Sequence, residues 1–336
     1  MGVAVASLIG ITGLISQLES HAATPTASVE PENGSLSSSV ATVNDTTSSG
    51  GKAVKFGTGT GGISDATLNA LIASTPPSTS SPAPSGPTVG QAGEFDTSTL
   101  ASNEVWDNFD GTTLDSRLWQ RDTINQGGTQ VYQNANMTLD GSGHAVMTAT
   151  QSGSTIYSGR FTSRQKFAMK YGWSAARIKM PYSNNGVGGA WFPAFWMLLV
   201  GYNTSPYYAE YDLMEQFGDS TTYSTHLYLN DGTSSDDKES YKPVPSSQGS
   251  DASQAYHTYW MLWEPDRIRV GVDSLQMGDW SSADFTAGQW ALHMQQPMYY
   301  VFNFAVAPSW LPAPKPTDFP AQMLVDWARY KPLSAL

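Results

Sequence analysis

The chain has 336 residues, a formal net charge of −12 and no cysteine. Nucleic acids and anionic membranes are bound through concentrated Lys and Arg, so this charge balance argues against both as partners. The absence of cysteine excludes disulfides and thiol catalysis. Only 14% of the residues are charged, whereas 12% are aromatic, a composition that favours an all-β protein with rings on an open face. Such rings stack on sugars, although they also fill cores.

The first residues predict a signal segment. Residues 3–15 form an apolar run that is too short to span a bilayer comfortably. Small residues follow at Ala22 and Ala23, as at a signal cleavage site, although no Lys or Arg precedes the run. We therefore expect residues 1–23 to be a signal peptide or an N-terminal anchor, and the protein to be secreted or extracellular.

Residues 24–96 are dominated by Ser, Thr, Gly, Pro and Ala. Within them, residues 29–56 contain two strand-like pieces, SVATVND and KAVKF, around an SGG turn. This stretch resembles the opening of a β-sandwich carbohydrate-binding module, but it is too short to bury a sandwich core, so we expect a remnant or tether. Residues 75–89 (TPPSTSSPAPSGPTV) predict an extended Pro/Ser linker. The main domain is expected at residues 97–336.

From residue 104 onwards, short strand-like runs alternate with turn signals. The runs are HAVMTAT, WSAARIKM, AFWMLLV, AEYDLME, YSTHLYL, IRVGVD, MYYVFNFAV and MLVDWARY. No stretch keeps an apolar period of 3.6 residues long enough for a major helix. The pattern predicts an all-β antiparallel sandwich or jelly roll, closed by a C-terminal strand near Asp326 that returns beside the first strand.

One predicted strand, residues 209–215, carries three carboxylates. Glu210 and Asp212 point to the same face of a regular strand, whereas Glu215 has the opposite parity. A β-bulge near Leu213 or Met214 would return Glu215 to the face of the other two. Retaining glycosidases place two carboxyl groups about 5–5.5 Å apart, a separation that long Glu side chains on one sheet can reach.

A solvated, charged strand face is the alternative interpretation of these carboxylates. Repulsion among like charges and the aromatic flank AWFPAFWMLLV argue against it. Crowded carboxylates in an aromatic cleft raise one another's pKa, which keeps one of them protonated as a general acid.

The run also resembles the ExDxxE signature of family 16 glycoside hydrolases, the laminarinase and β-glucanase clan. The resemblance spans roughly residues 104–332. It continues in the family's order through YSGRF (157–161), YGW (171–173), RIKMP (177–181), WFPAFWML (191–198), YHTY (256–259), NFAV (303–306) and MLVDW (323–327).

The resemblance implies a concanavalin-like β-jelly-roll sandwich and a retaining endo-acting enzyme. Glu210 would be the nucleophile, Glu215 the general acid and then base, and Asp212 a hydrogen-bonding partner of the nucleophile. Two alternatives remain open: a non-catalytic polysaccharide-binding protein, and a transglycosylase or galactan hydrolase on the same fold. The substrate would be a β-1,3-glucan or a mixed β-1,3/1,4-glucan, and we expect a monomer.

The same resemblance implies contacts to the substrate. Trp191 and Trp196 would stack on sugars, although their opposite parity favours core packing for one of them. The remaining implied contacts are His226, Asn303, Trp310 and Arg160.

Two departures from the family pattern bear on the substrate. Ala175 stands where a Glu is usual, which would remove a carboxylate near a subsite. The sequence Ala307-Pro308-Ser309 replaces a Gly-Gly turn and would reshape one wall of the cleft.

No cofactor is required for this chemistry. Family members often hold a structural calcium, for which Asp107, Asp110 or Asp326 could serve, although the sequence shows no dedicated calcium loop.

Overall fold

The structure is a computed structural model that describes residues 40–44, 52–56, 62–90, 97–125, 127–182, 189–201, 208–232, 235–291 and 296–336. The predicted signal segment 1–23 lies outside the described residues. The chain divides into two compact units, Met1–Thr60 and Gly61–Leu336. Among the described residues, no helix has the length and apolar character needed to cross a bilayer.

The described part of the first unit is a β-hairpin. Strand β1 (Val40–Asn44) pairs antiparallel with strand β2 (Lys52–Phe56). These strands coincide with the two strand-like pieces of the sequence, and the predicted turn between them lies outside the described residues. The likeness to a carbohydrate-binding module stays a prediction.

The described part of the second unit consists mainly of strands, with two α-helices. The helices are α1 (Asp65–Ile72) and α2 (Ala287–Gln289). The strands are β3 (Thr88–Val89), β4 (Ser98–Leu100), β5 (Val105–Asp107), β6 (Gln120–Arg121), β7 (Val131–Tyr132), β8 (Met137–Leu139), β9 (Ala145–Ser152), β10 (Thr155–Ser158), β11 (Arg160–Thr162), β12 (Phe167–Ala168), β13 (Gly172–Lys179), β14 (Trp191–Leu199), β15 (Tyr208–Glu215), β16 (Thr222–Asn230), β17 (Ser235–Pro243), β18 (His257–Glu264), β19 (Arg267–Val272), β20 (Leu275–Ser281), β21 (Met298–Val306) and β22 (Ala321–Lys331).

Two large sheets form a sandwich. The front sheet has the strand order β17-β16-β15-β14-β21-β11-β6, and the back sheet has the order β20-β19-β18-β13-β22-β9-β10-β7, with β5 and β8 attached to β22 and β9. A small third sheet has the order β12-β4-β3. The jelly-roll prediction is confirmed, and so is its closure, because β22 pairs with β5 and places Ala328 opposite Asp107.

The core lies between the two large sheets because alternate side chains of each strand point inward. Phe195, Tyr211 and Phe302 of the front sheet join Met261 and Val325 of the back sheet in one buried cluster. The opposite side chains of the front sheet are therefore free to line a cleft.

The outer face of the back sheet is covered by residues 62–90, which we call the strap. The strap begins with helix α1, whose N-cap residue Ser64 accepts a hydrogen bond from the Thr67 amide at 3.1 Å. Leu68 and Leu71 of the helix are buried in a second apolar cluster, formed with back-sheet side chains. These back-sheet side chains are Trp173, Ala175, Trp260, Leu262 and Trp327.

Polar contacts also hold the strap. The Arg269 side chain is 1% exposed and donates to the Ile63 carbonyl at 2.6 Å, while the Ile63 amide donates to Glu264 at 2.6 Å. Further along, Trp106 donates its indole N–H to the Thr79 carbonyl at 2.9 Å, and its amide to the Ser81 hydroxyl at 3.0 Å.

The strap differs from the predicted Pro/Ser linker and from the predicted boundary at residue 97. Its sequence has no hydrophobic period of its own beyond the short helix, and its backbone groups bond to side chains that are distant in sequence. Only the folded sandwich supplies those partners, so composition alone indicates a linker.

The structure also corrects the interpretation of Ala175. This residue lies on β13 of the back sheet, between Trp260 and Arg329 on the two neighbouring strands, and is fully buried beneath the strap. It is therefore remote from the outer face of the front sheet, and its small side chain contributes to the surface on which α1 packs.

Candidate active site

The carboxylate strand β15 contains a β-bulge. Along its pairing with β14, the register passes from Trp196 opposite Asp212 to Phe195 opposite Met214. Trp196 and Phe195 are adjacent on β14, whereas their partners Asp212 and Met214 are two residues apart on β15. Leu213 is therefore the extra residue of the bulge. The register towards β16 is interrupted at the same place. The bulge lies where the sequence predicted it.

The bulge brings Glu210, Asp212 and Glu215 to the same side of the front sheet, and we call these three the carboxylate row. Between them, Tyr211, Leu213 and Met214 point into the core. The row lines a cleft of about 310 Å³. The cleft residues are Gly127, Arg160, Phe192, Ala194, Trp196, Tyr208, Glu210, Asp212, Glu215 and Asn303.

Burial raises the pKa of every member of the row, because a desolvated carboxylate is less stable than a carboxylic acid. For Asp212 and Glu215 the pKa is raised well above its ordinary value, first by burial and then by the negative charge of Glu210. For Glu210 burial also raises the pKa, but a hydrogen bond from the Tyr208 hydroxyl opposes the increase.

A hydrogen bond between Asp212 and Glu210 separates these two groups further. It raises the pKa of Asp212 and lowers that of Glu210, the pattern of a hydrogen bond in which Asp212 is the donor and Glu210 the acceptor. Glu210 therefore accepts from two donors, Asp212 and Tyr208, and is the member of the row most favoured as a carboxylate. The cleft therefore places a carboxyl group that is favoured as a carboxylate, Glu210, near one whose pKa is raised well above its ordinary value, Glu215.

Three of the predicted contact residues lie in the cleft beside the row. Trp196 donates its indole N–H to the Asn303 side-chain oxygen at 2.6 Å. The Arg160 guanidinium lies 5.6 Å from the centre of the Trp196 ring, within cation–π range, and pairs with Asp122 at 3.3 Å. These contacts hold a ring and two polar groups in fixed positions along the cleft.

The structure places Trp191 in the core, which corrects its prediction as a substrate contact. It is 3% exposed and packs edge-to-face against Phe304 and Phe319, with ring centres 5.5 and 5.4 Å away. Its indole N–H donates to the Tyr182 carbonyl at 3.1 Å. The physical reason is parity: Trp191 and Trp196 are five residues apart on β14, so only one of them can face the cleft.

Trp310 is 54% exposed and forms an aromatic wall with Phe192 and Phe217. Its ring centre lies 5.0 Å from that of Phe192 and 5.3 Å from that of Phe217. Phe192 also lines the cleft, so the wall is continuous with the carboxylate row.

The turn before this wall contains a residue in the left-handed region. Ala307 adopts a φ of 47°, a left-handed conformation that favours glycine. Its amide donates to the Ala190 carbonyl at 2.7 Å. The replacement of glycine therefore leaves this turn in a glycine-like conformation, at a steric cost.

His226 lies on β16, opposite Asp212. Its Nε2 is 3.6 Å from the Glu215 carboxylate, and its Nδ1 is 3.5 Å from Asp237. The predicted contact residue His226 is therefore next to Glu215.

Sequence reasoning missed four residues around the site: Tyr208, Phe192, Phe217 and Asp237. Tyr208 could have been found, because it lies two residues before Glu210 and so shares its face. Phe192 lies on β14, Phe217 follows β15, and Asp237 lies on β17. These three residues are close to the site only because of the order of the strands in the front sheet.

The expected calcium site does not fit the contacts observed. The two carboxylate oxygens of Asp107 accept from the Phe109 amide at 2.8 Å and from the Trp119 indole at 2.9 Å. Asp326 forms an ion pair with Arg177. A hard cation needs six to eight oxygens, and these carboxylates already have N–H partners.

Among the described residues, one group of His and carboxylate side chains is close enough to share an ion. It consists of His226, Asp237 and Glu239, whose ligand atoms lie within 4.8 Å of one another. Because Asp237 and Glu239 are exposed, we assign no metal to this group.

The sequence matches the model of the family described as "Glycosyl hydrolases family 16" over residues 118–329. The matched range contains every strand of the front sheet. Among curated proteins, glucan endo-1,3-beta-glucosidase A1 of Niallia circulans is 27% identical over 269 residues, which cover 68% of this chain and 37% of that protein. The chain thus spans little more than a third of the length of that relative.

Solved structures show the same fold. The catalytic domain of an endo-1,3-beta-glucanase (laminarinase) from Thermotoga petrophila matches with a TM-score of 0.57 and 25% identity, over 68% of this chain and 96% of that one. An endo-beta-1,3-glucanase from Pyrococcus furiosus matches with a TM-score of 0.58 and 23% identity, over 73% of this chain and 97% of that one.

Proposed function

Because the chain belongs to glycosyl hydrolases family 16, we propose that it is a secreted, retaining endo-glycoside hydrolase that cuts a β-glucan at β-1,3 or mixed β-1,3/1,4 linkages. The observation that carries the proposal is the carboxylate row, in which one bulge gathers Glu210, Asp212 and Glu215 in an aromatic cleft. The curated relative's name supports the linkage, and the apolar run at residues 3–15 supports secretion.

The first half of the reaction forms a glycosyl-enzyme intermediate. The Glu210 carboxylate attacks the anomeric carbon of the sugar, and the bond from that carbon to the glycosidic oxygen breaks. Glu215 transfers its proton to the departing oxygen, so the leaving chain departs as an alcohol. Burial of Glu215 beside Glu210 suits this step, because it raises the pKa of Glu215 and so favours the protonated form that a general acid needs.

The second half releases the sugar. Glu215, now a carboxylate, takes a proton from water while the water oxygen attacks the anomeric carbon and the bond to Glu210 breaks. Two inversions leave the anomeric configuration unchanged. The hydrogen bond that Asp212 donates to Glu210 stabilises the Glu210 carboxylate before it attacks the sugar and after the sugar is released.

The test is reducing-end release by the full chain from laminarin, lichenan, xyloglucan, agarose and carrageenan. Glu210→Gln and Glu215→Gln serve as controls, because each removes one carboxyl group and keeps its shape. We expect hydrolysis of laminarin or lichenan with retained configuration, and losses of about 10²–10⁴-fold or more in either variant.

Other outcomes assign the protein differently. Binding without product release would indicate the non-catalytic polysaccharide-binding alternative. Products longer than the starting oligosaccharide would indicate a transglycosylase, and release from agarose or carrageenan alone would indicate a galactan hydrolase. Activity that survives Glu210→Gln on every substrate would refute the assignment of the nucleophile.

A further inference from the structure

Asp237 is a carboxylate near the row that the mechanism above does not use. It lies on edge strand β17, and its register partner on β16 is Tyr228, which in turn pairs with Glu210. Its carboxylate oxygen is 3.5 Å from Nδ1 of His226, and Nε2 of the same ring is 3.6 Å from the carboxylate of Glu215. The imidazole therefore lies between two carboxyl groups, one at the strand edge and one at the reacting centre.

The His226 ring is held in this position. Its side chain is 9% exposed, and the rings of Phe217 and Tyr241 flank it with centres 5.3 Å away. Its buried Nε2 has no hydrogen-bond partner within the part of the chain that the structure describes. A buried ring nitrogen without a partner is unfavourable, and Glu215 lies only a few tenths of an ångström beyond hydrogen-bonding distance.

We propose that Asp237 is a positioning residue that acts through His226 to keep Glu215 protonated. The Asp237 carboxylate favours the tautomer of His226 with its proton on Nδ1. Nε2 then presents a lone pair to the carboxylic acid of Glu215, and this partner is available only while Glu215 keeps its proton. The inference rests on the proposed function, because it concerns the acid of that reaction.

Two physical effects act in the same direction. A hydrogen bond that requires the neutral form of Glu215 raises its pKa. The negative charge of Asp237 raises the same pKa, after burial and the charge of Glu210. Among the described residues, the other charged or titratable groups facing this centre are Tyr208, Glu210 and Asp212 on β15, Tyr228 on β16, Glu239 and Tyr241 on β17, and Arg160 on β11. Strands β14 and β21 contribute Trp196 and Asn303, which carry no charge.

The experiment measures kcat/KM against pH for the full chain, for Asp237→Asn and for Asp236→Asn, with a chelator present to exclude an adventitious cation. Asp236 is the matched control, because it neighbours Asp237, undergoes the same charge change and pairs with Lys238 at 2.9 Å. We expect Asp237→Asn to move the alkaline limb to lower pH by about half a unit or more, with the main loss in kcat. Asp236→Asn should leave the limb in place.

Action through His226 is tested by repeating the Asp237→Asn substitution in a His226→Gln background. We expect the shift of the alkaline limb to fall to less than half of its size in the wild-type background. An equal shift in both backgrounds would overturn the role of His226, and an unmoved limb in Asp237→Asn would overturn the role of Asp237. Both of these outcomes are measured with a wild-type protein that is active. A wild type that cleaves no glycan would instead refute the proposed function.

Discussion

At the scale of single residues, the pKa values of three carboxyl groups on one strand are shifted to different extents because their hydrogen-bond partners differ. Glu210 accepts from Asp212 and Tyr208, whereas Glu215 has an imidazole and a second carboxylate as neighbours. Burial is common to all three and raises each pKa. The chemistry that the row can perform therefore depends on the donors around it.

The raised pKa of Asp212 predicts that this residue destabilises the fold at neutral pH. Its ordinary pKa is 3.8 and burial raises it in the folded state, so folding takes up a proton above about pH 4, and the free energy of unfolding falls as pH rises. We expect Asp212→Asn to raise the free energy of unfolding by about 1–3 kcal/mol near pH 7 and to lower kcat. Chemical denaturation of both proteins at several pH values measures this difference.

The gain should disappear at low pH, because wild-type Asp212 is then protonated in both the folded and unfolded states. An Asp212→Asn variant that is equally stabilised at pH 3 and pH 7 would show that the effect comes from packing. A variant that is destabilised at pH 7 would contradict the raised pKa.

The aromatic residues of the site divide into core and surface, and this division predicts how each substitution behaves. Trp310 is 54% exposed, so Trp310→Ala should change the thermal midpoint little and raise KM on long oligosaccharides, because a sugar loses its stacking surface. Trp191→Ala should instead cost about 3–5 kcal/mol of stability, since Trp191 is 3% exposed. Calorimetry and steady-state kinetics on both variants separate the two effects.

If Trp310→Ala left KM unchanged for oligosaccharides of every length, the aromatic wall would have no part in binding. If it unfolded the protein, the wall would be structural.

At the scale of elements, the sequence was informative wherever a local rule applied. Alternation along β15 predicted which carboxylates share a face, and the wrong parity of Glu215 predicted the bulge. Parity also showed that Trp191 and Trp196 could not both face the cleft, but choosing between them needed the register of β14. Asp237 reaches the site only because β17 pairs with β16, a pairing that no local pattern specifies.

The bulge predicts the effect of shortening β15 by one residue. Deleting Leu213 would restore a regular strand and leave Glu215 on the cleft side, because Asp212, Met214 and Glu215 would then alternate opposite Trp196, Phe195 and Ala194 as they do now. We expect this deletion to retain measurable hydrolysis with a lowered kcat, because Glu215 keeps its face but loses the local twist of the bulge. Leu213→Ala keeps the bulge and should retain most of the activity, at a cost of about 2–5 kcal/mol. Circular dichroism melts and reducing-end assays of the two variants test this.

Complete loss of hydrolysis in a folded deletion variant would contradict the assignment of Leu213 as the extra residue, because Glu215 would then have changed face.

At the scale of the whole molecule, the two outer faces of the sandwich have different roles. The front sheet presents the carboxylate row, while the back sheet is covered by the strap. Composition indicated a linker at residues 75–89, because Pro and Ser reveal nothing about partners that lie far away in sequence. The back-sheet side chains carry the missing signal: Trp173, Trp260 and Trp327 are nearly fully buried on the face opposite the core, which requires a cover.

This arrangement predicts different effects for two truncations. A chain that starts at residue 62 keeps the strap and should melt close to the full chain. A chain that starts at residue 97 lacks the strap and exposes the tryptophan cluster and the buried Arg269–Glu264 pair. We expect its thermal midpoint to fall by about 5 °C or more, because burial of Leu68 and Leu71 alone contributes about 1.5–3 kcal/mol each. Differential scanning calorimetry with binding of a hydrophobic dye measures both consequences. Equal midpoints and equal dye binding in the two truncations would mean that the strap adds nothing to the stability of the sandwich.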